Sequence, residues 1–295
     1  METRILSGKK VSSSFYTSIK PRIDTLKSSD IIPGLAVILV GDNAASAVYV
    51  RNKTKKFNEL GLYSDTITFS DSVSQDEIIS KIQELNHNQS FHGILVQLPL
   101  PDHINDDLII NSIDPKKDVD GFHPYNLGCL ISGKSGFVPC TPKGIMRILD
   151  YYDIDLSNKH VVVVGRSNIV GRPISILTSM KKKFSNATTT LCHSGTKNIS
   201  QYTQNADVII LALGSSEYLS DEDVKEGAVI IDVGINRIKD STEKGFKLVG
   251  DADYKSMIDH AGAITPVPGG VGPMTIAMLV ENTVEAAEKS INSSL

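Results

Sequence analysis

The chain has 295 residues, of which 40% are hydrophobic and 22% are charged, and its formal net charge is −4 at pH 7. This is the composition of an ordinary globular protein, long enough for two domains, and the small negative charge argues against a nucleic-acid partner. The sequence contains no apolar run of the roughly 20 residues that a membrane span needs, and the first 20 residues lack the apolar segment of a signal peptide. We therefore expect a cytoplasmic protein without a membrane partner.

Seven short apolar or β-branched runs alternate with helical stretches along the chain. They cover residues 35–40, 66–69, 93–98, 161–164, 188–192, 208–211 and 229–233. Continuous runs of this kind suit strands that are covered on both faces, as in parallel sheets flanked by helices. The sequence therefore predicts the α/β class. Residues 99–142, which are rich in Pro, Gly, Asp and Asn, separate the two groups of strands into two halves.

Several helix starts can be read from their chemistry. Ser74 and Glu77 have the spacing of a capping box, and Thr141 followed by Pro142 predicts an N-cap and a first helical residue. The last helix is predicted after the glycine-rich residues 269–273, where apolar residues recur at helical spacing. These signals are structural and indicate no chemistry.

Three cysteines, Cys129, Cys140 and Cys192, are far apart in the sequence. They cannot all pair with one another, and none has the close spacing that a metal site requires. We therefore expect reduced thiols and no bound metal.

Residues 160–173 follow the order of a Rossmann phosphate loop, with a strand, a glycine turn and a helix start. The glycines permit a sharp turn close to phosphate, and the helix N-terminus offers free N–H groups. The usual G-x-G-x-x-G spacing is replaced by Gly165-x-Ser167-x-x-x-Gly171. By itself, this pattern favours a phosphate loop but is also compatible with a tight strand-to-helix connection in any α/β protein.

The residues after this loop favour NADP over NAD. An NAD site places an acidic residue about 20 residues after the loop, where it accepts from the ribose 2′-hydroxyl. Residues 165–206 contain no Asp or Glu, whereas Arg166 begins a series of basic residues and Ser194 follows the next predicted strand. A 2′-phosphate would meet Arg166 and Ser194 without repulsion. His193 is either a further contact or a surface histidine.

A second candidate site begins in residues 42–56, which follow an apolar strand and are predicted to be helical. Tyr49 and Lys53 lie four residues apart and share one helix face, with Lys56 close by on the same side. Taken alone, the segment is also consistent with a solvated basic helix. Gln97 ends a predicted strand, and binding residues in α/β sheets gather at such strand ends.

Three further segments, residues 96–101, 118–123 and 265–275, complete a set of motifs. With Tyr49, Lys53 and the Gly165 loop, they make the whole chain resemble the bifunctional methylenetetrahydrofolate dehydrogenase/methenyltetrahydrofolate cyclohydrolase family. The resemblance implies two α/β domains flanking a cleft: a catalytic folate-binding domain of residues 1–140 and 273–295, and a Rossmann-type NADP-binding domain of residues 141–272. It also implies a homodimer.

The implied activity is NADP-dependent oxidation of 5,10-methylenetetrahydrofolate to 5,10-methenyltetrahydrofolate, followed by its hydrolysis to 10-formyltetrahydrofolate. By the same resemblance, Lys53 matches the catalytic lysine and Gln97 its hydrogen-bonding partner. Tyr49 matches the residue that stacks on the folate, and Asp120 the carboxylate that binds the pterin. Cofactor contacts are implied for Gly165, Arg166, Ser167, Gly171, Ser194 and Ile235, and further substrate contacts for Pro268 and Gly269.

Three alternatives remain open from the residues alone. A monofunctional dehydrogenase of the same fold could lose the catalytic lysine, but Lys53 and Gln97 are both present. A shikimate-type or amino-acid dehydrogenase would need its own carboxylate-binding residues. A non-catalytic NADP-sensing module would bind the cofactor without turnover.

Overall fold

The structure is a computed structural model and describes residues 2–240 and 245–292. It divides into two compact units. One contains a three-stranded sheet and comprises Phe15–Cys140 and Ile276–Leu295; the other contains a six-stranded sheet and comprises Met1–Ser14 and Thr141–Thr275. We call them the three-stranded unit and the six-stranded unit. Parallel sheets with helices in both units confirm the predicted α/β class.

The strands and helices follow one another along the whole described chain. The strands are β1 (Arg4–Ile5), β2 (Gly34–Val40), β3 (Tyr63–Phe69), β4 (Gly93–Val96), β5 (His160–Val164), β6 (Thr188–Cys192), β7 (Val208–Leu211), β8 (Val229–Asp232), β9 (Asn236–Lys239), β10 (Phe246–Val249) and β11 (Ala263–Ile264). The helices are α1 (Gly8–Ser28), α2 (Ala44–Glu59), α3 (Gln75–His87), α4 (Asp106–Ser112), α5 (Pro124–Ile131), α6 (Cys140–Tyr151), α7 (Gly171–Ser179), α8 (Ser200–Thr203), α9 (Tyr254–Met257) and α10 (Val271–Asn292). Asp221–Asp223 form a short 3₁₀ helix.

In the three-stranded unit, β2 lies between β3 and β4 and pairs with both in parallel. All seven residues of β2 are buried, as expected for a central strand covered on both faces. Ile38 of β2 packs in one cluster with Ile94 of β4 and with Ile78 and Ile82 of α3. Burying each such side chain contributes about 1.5–3 kcal/mol, so this cluster holds α3 on the sheet.

In the six-stranded unit, the strand order is β1-β11-β8-β7-β5-β6, and every pair is parallel. The first strand of this half, β5, lies between β6 on one side and β7 on the other. The chain therefore reverses its direction of winding between β5 and β7, and ligands in open α/β sheets bind outside the carboxyl ends of the strands at such a point. A separate antiparallel ribbon joins β9 and β10.

The N-terminal strand β1 pairs with β11, with Arg4 opposite Ala263. Residues 1–14 therefore group with the six-stranded unit, whereas the sequence placed residues 1–140 in the other domain. A two-residue strand has no alternating pattern, and its partner lies some 260 positions away, so no local signal indicates this pairing. The assignment of folate and NADP to separate domains stays a prediction.

Within the described residues, no helix has both the length and the apolarity that a membrane crossing requires.

Candidate active site

Lys53 and Gln97 meet in the three-stranded unit. Lys53 lies in the third turn of α2 with only 8% of its surface exposed, and Gln97 directly follows β4. Lys53 Nζ donates a hydrogen bond to Gln97 Oε1 over 3.1 Å. Gln97 Nε2 donates in turn to the Leu98 carbonyl at 2.8 Å, which turns the amide oxygen towards the lysine. Because an ammonium group can only donate, this orientation of the amide is the one that Lys53 requires.

The other residues of α2 refine this arrangement. Tyr49, one turn before Lys53, is 37% exposed, so its ring presents apolar area to solvent. The ammonium group of Lys56 pairs with Glu59 and lies 4.8 Å from the centre of the Tyr16 ring. Its charge is therefore partly neutralised by Glu59.

Asp120 lies in the loop between α4 and α5 and is half-buried. Burial raises the pKa of its carboxyl group, while the positive charge of Lys53 acts in the opposite direction and the negative charge of Asp118 adds to the rise. Asp120 and Lys53 are therefore electrostatic neighbours. The three-stranded unit thus brings an amine, an amide and a carboxyl group into one locality.

Asp118 shapes the loop that carries Asp120, a role that sequence reasoning did not assign. Its buried carboxylate accepts hydrogen bonds from the backbone N–H groups of Phe122 and His123 at 3.2 and 2.8 Å, and from Asn126 Nδ2 at 2.8 Å. Gly121 has φ +78°, a conformation that favours glycine. The only sequence signal for this loop is an aspartate three residues before that glycine, which is typical of many turns.

The predicted phosphate loop follows β5 in the six-stranded unit. Gly165 has φ +125°, and a Cβ atom there would lie 2.2 Å from the Ala212 carbonyl oxygen. A Cβ at Gly171, the first residue of α7, would lie 1.8 Å from the Gly165 carbonyl oxygen. Ser167 Oγ accepts a hydrogen bond from the Val170 N–H at 3.1 Å, which stabilises the turn where the usual pattern has its second glycine. The turn therefore combines two close backbone approaches at glycines with a hydrogen bond accepted by the Ser167 side chain.

Arg166 and Ser194 follow neighbouring strands of the same sheet. Val164 of β5 pairs with Cys192 of β6, so each of the two residues lies two positions beyond that pair. Both are exposed. The turn that carries Ser194 is held by the His193 ring, whose Nδ1 accepts from the Gly195 N–H at 3.1 Å. The carboxyl ends of β5 and β6 thus present a guanidinium group and a hydroxyl group.

The remaining predicted site residues also lie in the six-stranded unit. Ile235 follows β8 and is 42% exposed. Pro268 is exposed, and Gly269 has φ +111° and accepts a hydrogen bond from the Lys9 N–H at 3.1 Å. Lys53, Gln97, Tyr49 and Asp120 therefore belong to one unit, and Gly165, Arg166, Ser167, Gly171, Ser194, Ile235, Pro268 and Gly269 to the other.

Two family models match the chain: the tetrahydrofolate dehydrogenase/cyclohydrolase catalytic domain over residues 6–120, and the NAD(P)-binding domain of the same family over residues 139–291. The bifunctional protein FolD of Streptococcus agalactiae is 52% identical over 291 residues, which cover 98% of this chain and 99% of that protein. The crystal structure of the Campylobacter jejuni bifunctional enzyme FolD has a TM-score of 0.92 at 49% identity, covering 98% of this chain and 99% of that one.

The Trypanosoma brucei dehydrogenase-cyclohydrolase, solved with an NADP cofactor and an inhibitor, has a TM-score of 0.93 at 32% identity and covers 99% of both chains. These similarities extend over both units and include the Lys53 and Gly165 segments. They confirm the resemblance that the motifs indicated. The chain belongs to the tetrahydrofolate dehydrogenase/cyclohydrolase family.

Proposed function

We propose that Lys53, Gln97, Tyr49 and Asp120 carry out the bifunctional folate chemistry of this family. The chain oxidises 5,10-methylenetetrahydrofolate to the methenyl form with NADP⁺ and hydrolyses that product to 10-formyltetrahydrofolate. The observation that carries the residue assignment is the hydrogen bond between buried Lys53 and Gln97, with Asp120 as an electrostatic neighbour. A monofunctional dehydrogenase would not need this pair.

The hydride step requires positioning more than acid–base catalysis. Bound NADP⁺ supplies the hydride acceptor, and the methylene carbon of the folate gives up the hydride to leave a methenyl cation. No proton has to be removed in this step. The protein has to position the folate for hydride transfer, and we assign that role to Tyr49 and Asp120. The exposed ring of Tyr49 offers a flat apolar surface. The adjacent N–H donors of a pterin can bind a carboxylate with two parallel hydrogen bonds.

The hydrolysis step requires proton transfers, and Lys53 is the group placed to make them. Water adds to the methenyl carbon, loses a proton, and the ring then opens as a ring nitrogen takes one up. A lysine can accept a proton only when it is neutral. In that state, one N–H of Lys53 still donates to Gln97, and the lone pair points elsewhere. Gln97 therefore fixes the direction in which Lys53 exchanges protons.

The proposed cofactor site fits NADP better than NAD. Gly165 and Gly171 leave no room for side chains beside the phosphate loop, and Ser167 stabilises its turn. Arg166 and Ser194 are exposed at adjacent strand ends, where a 2′-phosphate needs a cation and a donor. We assign Ile235 to a backbone contact near the nicotinamide. Pro268 and Gly269 are further proposed substrate contacts.

We also propose a cytoplasmic homodimer that acts on tetrahydrofolate derivatives and has no nucleic-acid or membrane partner. Cys129, Cys140 and Cys192 are buried and form no disulfide bond, which agrees with a reducing compartment. The dimer rests on the family resemblance. A small net negative charge supports the absence of nucleic acid.

One pair of assays tests this proposal. The purified protein is mixed with methylenetetrahydrofolate and either NADP⁺ or NAD⁺, and reduced nucleotide is followed by absorbance. Hydrolysis is measured separately, from the loss of methenyltetrahydrofolate without nucleotide. We expect both reactions, with faster reduction of NADP⁺ than of NAD⁺. Cofactor binding without turnover would support the sensing module instead, and equal rates with the two nucleotides would contradict the NADP assignment.

A further inference from the structure

Two buried carboxylates lie side by side at the carboxyl ends of β7 and β8. Asp232 is the last residue of β8, and Asp251 follows β10 by two positions. Their exposed fractions are 3% and 0%. A carboxylate this deep in a protein is costly unless hydrogen bonds replace the water it has lost. The partners of these two groups therefore indicate what they hold in place.

Asp251 accepts four hydrogen bonds. Its Oδ2 accepts from the N–H groups of Leu213 and Gly214 at 2.7 and 3.0 Å. Its Oδ1 accepts from the Ser215 N–H and from Asn236 Nδ2, both at 2.9 Å. Three of the donors are consecutive backbone groups in the segment that follows β7. One carboxylate thus fixes the path of the chain after β7 and ties it to Asn236, the first residue of β9.

Asp232 holds the backbone around its neighbour. It accepts hydrogen bonds from the N–H groups of Gly234, Asp251 and Ala252 at 2.9, 3.0 and 2.9 Å. Two glycines allow the carboxylates to come so close to the main chain. A Cβ at Gly234 would lie 2.2 Å from Asp251 Oδ1, and a Cβ at Gly250 would lie 1.8 Å from Asp232 Oδ2.

This pair lies on the side of the sheet where the nicotinamide half of a dinucleotide belongs. The ribose that carries the 2′-group is read at the end of the second strand of the fold, here β6, and the phosphates lie at the first, here β5. The other half of the dinucleotide extends towards β7 and β8. Ile235, the exposed residue there, stands between Gly234 and Asn236, which are bound to Asp232 and Asp251 respectively.

We propose that Asp251, supported by Asp232, is a positioning residue for the nicotinamide half of the cofactor. This inference rests on the proposed function. Asp251 does not itself contact the cofactor; it fixes residues 213–215 and Asn236, and with them the backbone at Ile235 on which the nicotinamide rests. Small displacements of reacting groups slow a reaction strongly, so the rate of the hydride step depends on the hydrogen bonds that Asp251 accepts. The hydrolysis step uses no nicotinamide, and its rate therefore does not depend on them.

The test is Asp251→Asn, in which one acceptor oxygen becomes an amide NH₂ group, which can only donate and cannot accept from the backbone N–H groups facing it. Affinities for NADP⁺ and for 2′,5′-ADP, which lacks the nicotinamide half, are measured by calorimetry, together with the kcat of both reactions. We expect hydride transfer to slow by on the order of 10- to 100-fold. NADP⁺ affinity should fall, while 2′,5′-ADP affinity and hydrolysis should stay within about twofold of wild type.

Asp207→Asn is the matched control, because Asp207 immediately precedes β7 and therefore lies at the amino-terminal end of that strand, opposite to the carboxyl end near Asp251. It also accepts a backbone hydrogen bond, from the His160 N–H at 2.9 Å, and pairs with Lys225. This variant should lose stability without separating the two affinities. Parallel losses of NADP⁺ and 2′,5′-ADP binding in Asp251→Asn, or no change in either, would overturn the proposal.

Asn236→Ala provides a second test if Asp251→Asn does not fold, since it removes one of the four donors to the carboxylate. It should separate the two affinities in the same direction and to a smaller extent, and unchanged or parallel affinities would again overturn the proposal. The binding measurements also separate this inference from the proposed function. A wild-type protein without NADPH formation would refute the proposed function, whereas the difference between NADP⁺ and 2′,5′-ADP binding would still report on Asp251.

Discussion

Lys53 is the residue whose proposed role makes the two reactions separable. Lys53→Met keeps the length and apolar stem of the side chain but removes the group that exchanges protons. Because positioned acid–base groups contribute about 10²- to 10⁴-fold, we expect hydrolysis of methenyltetrahydrofolate to fall by that factor, with a smaller loss of hydride transfer. Initial rates of the two reactions at saturating substrate measure the difference.

Lys55→Met is the matched control for this variant, since Lys55 lies on the same helix with 73% of its side chain exposed. It should leave both rates close to those of the wild type. Equal losses of the two activities in Lys53→Met would contradict the division of roles and would make Lys53 a substrate-binding residue for both steps.

Asp232 makes stability depend on pH. Burial, as the largest cause, and the negative charge of Asp251 raise the pKa of Asp232 from 3.8 to about 6, although three backbone N–H groups oppose the rise. Between these two values, the folded protein binds a proton that the unfolded chain releases. The contribution of Asp232 to the free energy of unfolding is therefore greatest below pH 4, is lost as the pH rises through about 6, and is constant above.

Asp232→Asn cannot ionise and isolates this effect. The free energy of unfolding of the wild type relative to the variant should decrease by up to about 3 kcal/mol between pH 4 and 7. Urea unfolding at several pH values measures it. A difference that is independent of pH, or that grows as the pH rises, would show that Asp232 does not titrate in the folded protein as its burial implies.

Sequence signals predicted the helices and strands whose formation depends on contacts between residues close together in the chain. The capping box before α3 forms as expected, with the Ser74 hydroxyl accepting from the Glu77 N–H and the Glu77 carboxylate accepting from the Ser74 N–H. The seven predicted strands correspond to β2 to β8. The predicted start at Thr141 is displaced, because α6 already begins at Cys140. Shifts of one or two residues are usual at helix ends, where capping signals overlap.

These local signals did not predict contacts between residues that are far apart in the chain. β3 begins at Tyr63, three residues before the predicted strand, because its pairing with β2 extends through polar residues at the sheet edge. The Lys53–Gln97 bond joins residues 44 positions apart, and Asp251 reaches Leu213 across 38. Only the family resemblance indicated the first of these, and nothing indicated the second. A buried carboxylate is identified by its donors, and these are brought together by the fold alone.

The two units of the molecule are not consecutive in the chain, because each is built from two separate stretches of sequence. The division between the units falls inside α1 on one side and inside α10 on the other, so the chain passes between the units within continuous helices as well as at residues 140–141. Hydrophobic periodicity predicts that such helices exist, but it cannot show where along a helix the packing partner changes.

Cofactor binding should be visible in the stability of the whole molecule. NADP⁺ at 100 times its dissociation constant stabilises the folded state that binds it by about 2.7 kcal/mol. Arg166→Ala removes the exposed guanidinium group proposed to face the 2′-phosphate. A tenfold weaker affinity would lower the stabilisation at the same NADP⁺ concentration by about 1.4 kcal/mol. Stabilisation by NAD⁺, which has no 2′-phosphate, should not change.

Urea unfolding with and without each nucleotide measures these differences, and Lys181→Ala is the matched control. Lys181 is an exposed cation in the same acid-free stretch, beyond the end of α7, so its loss changes the net charge equally without removing a proposed contact. If the control weakens NADP⁺ as much as Arg166→Ala does, the general field of the basic residues favours NADP⁺. If Arg166→Ala weakens both nucleotides alike, Arg166 binds the shared phosphates. A loss confined to NADP⁺ and to Arg166→Ala assigns the choice of cofactor to one contact with the 2′-phosphate.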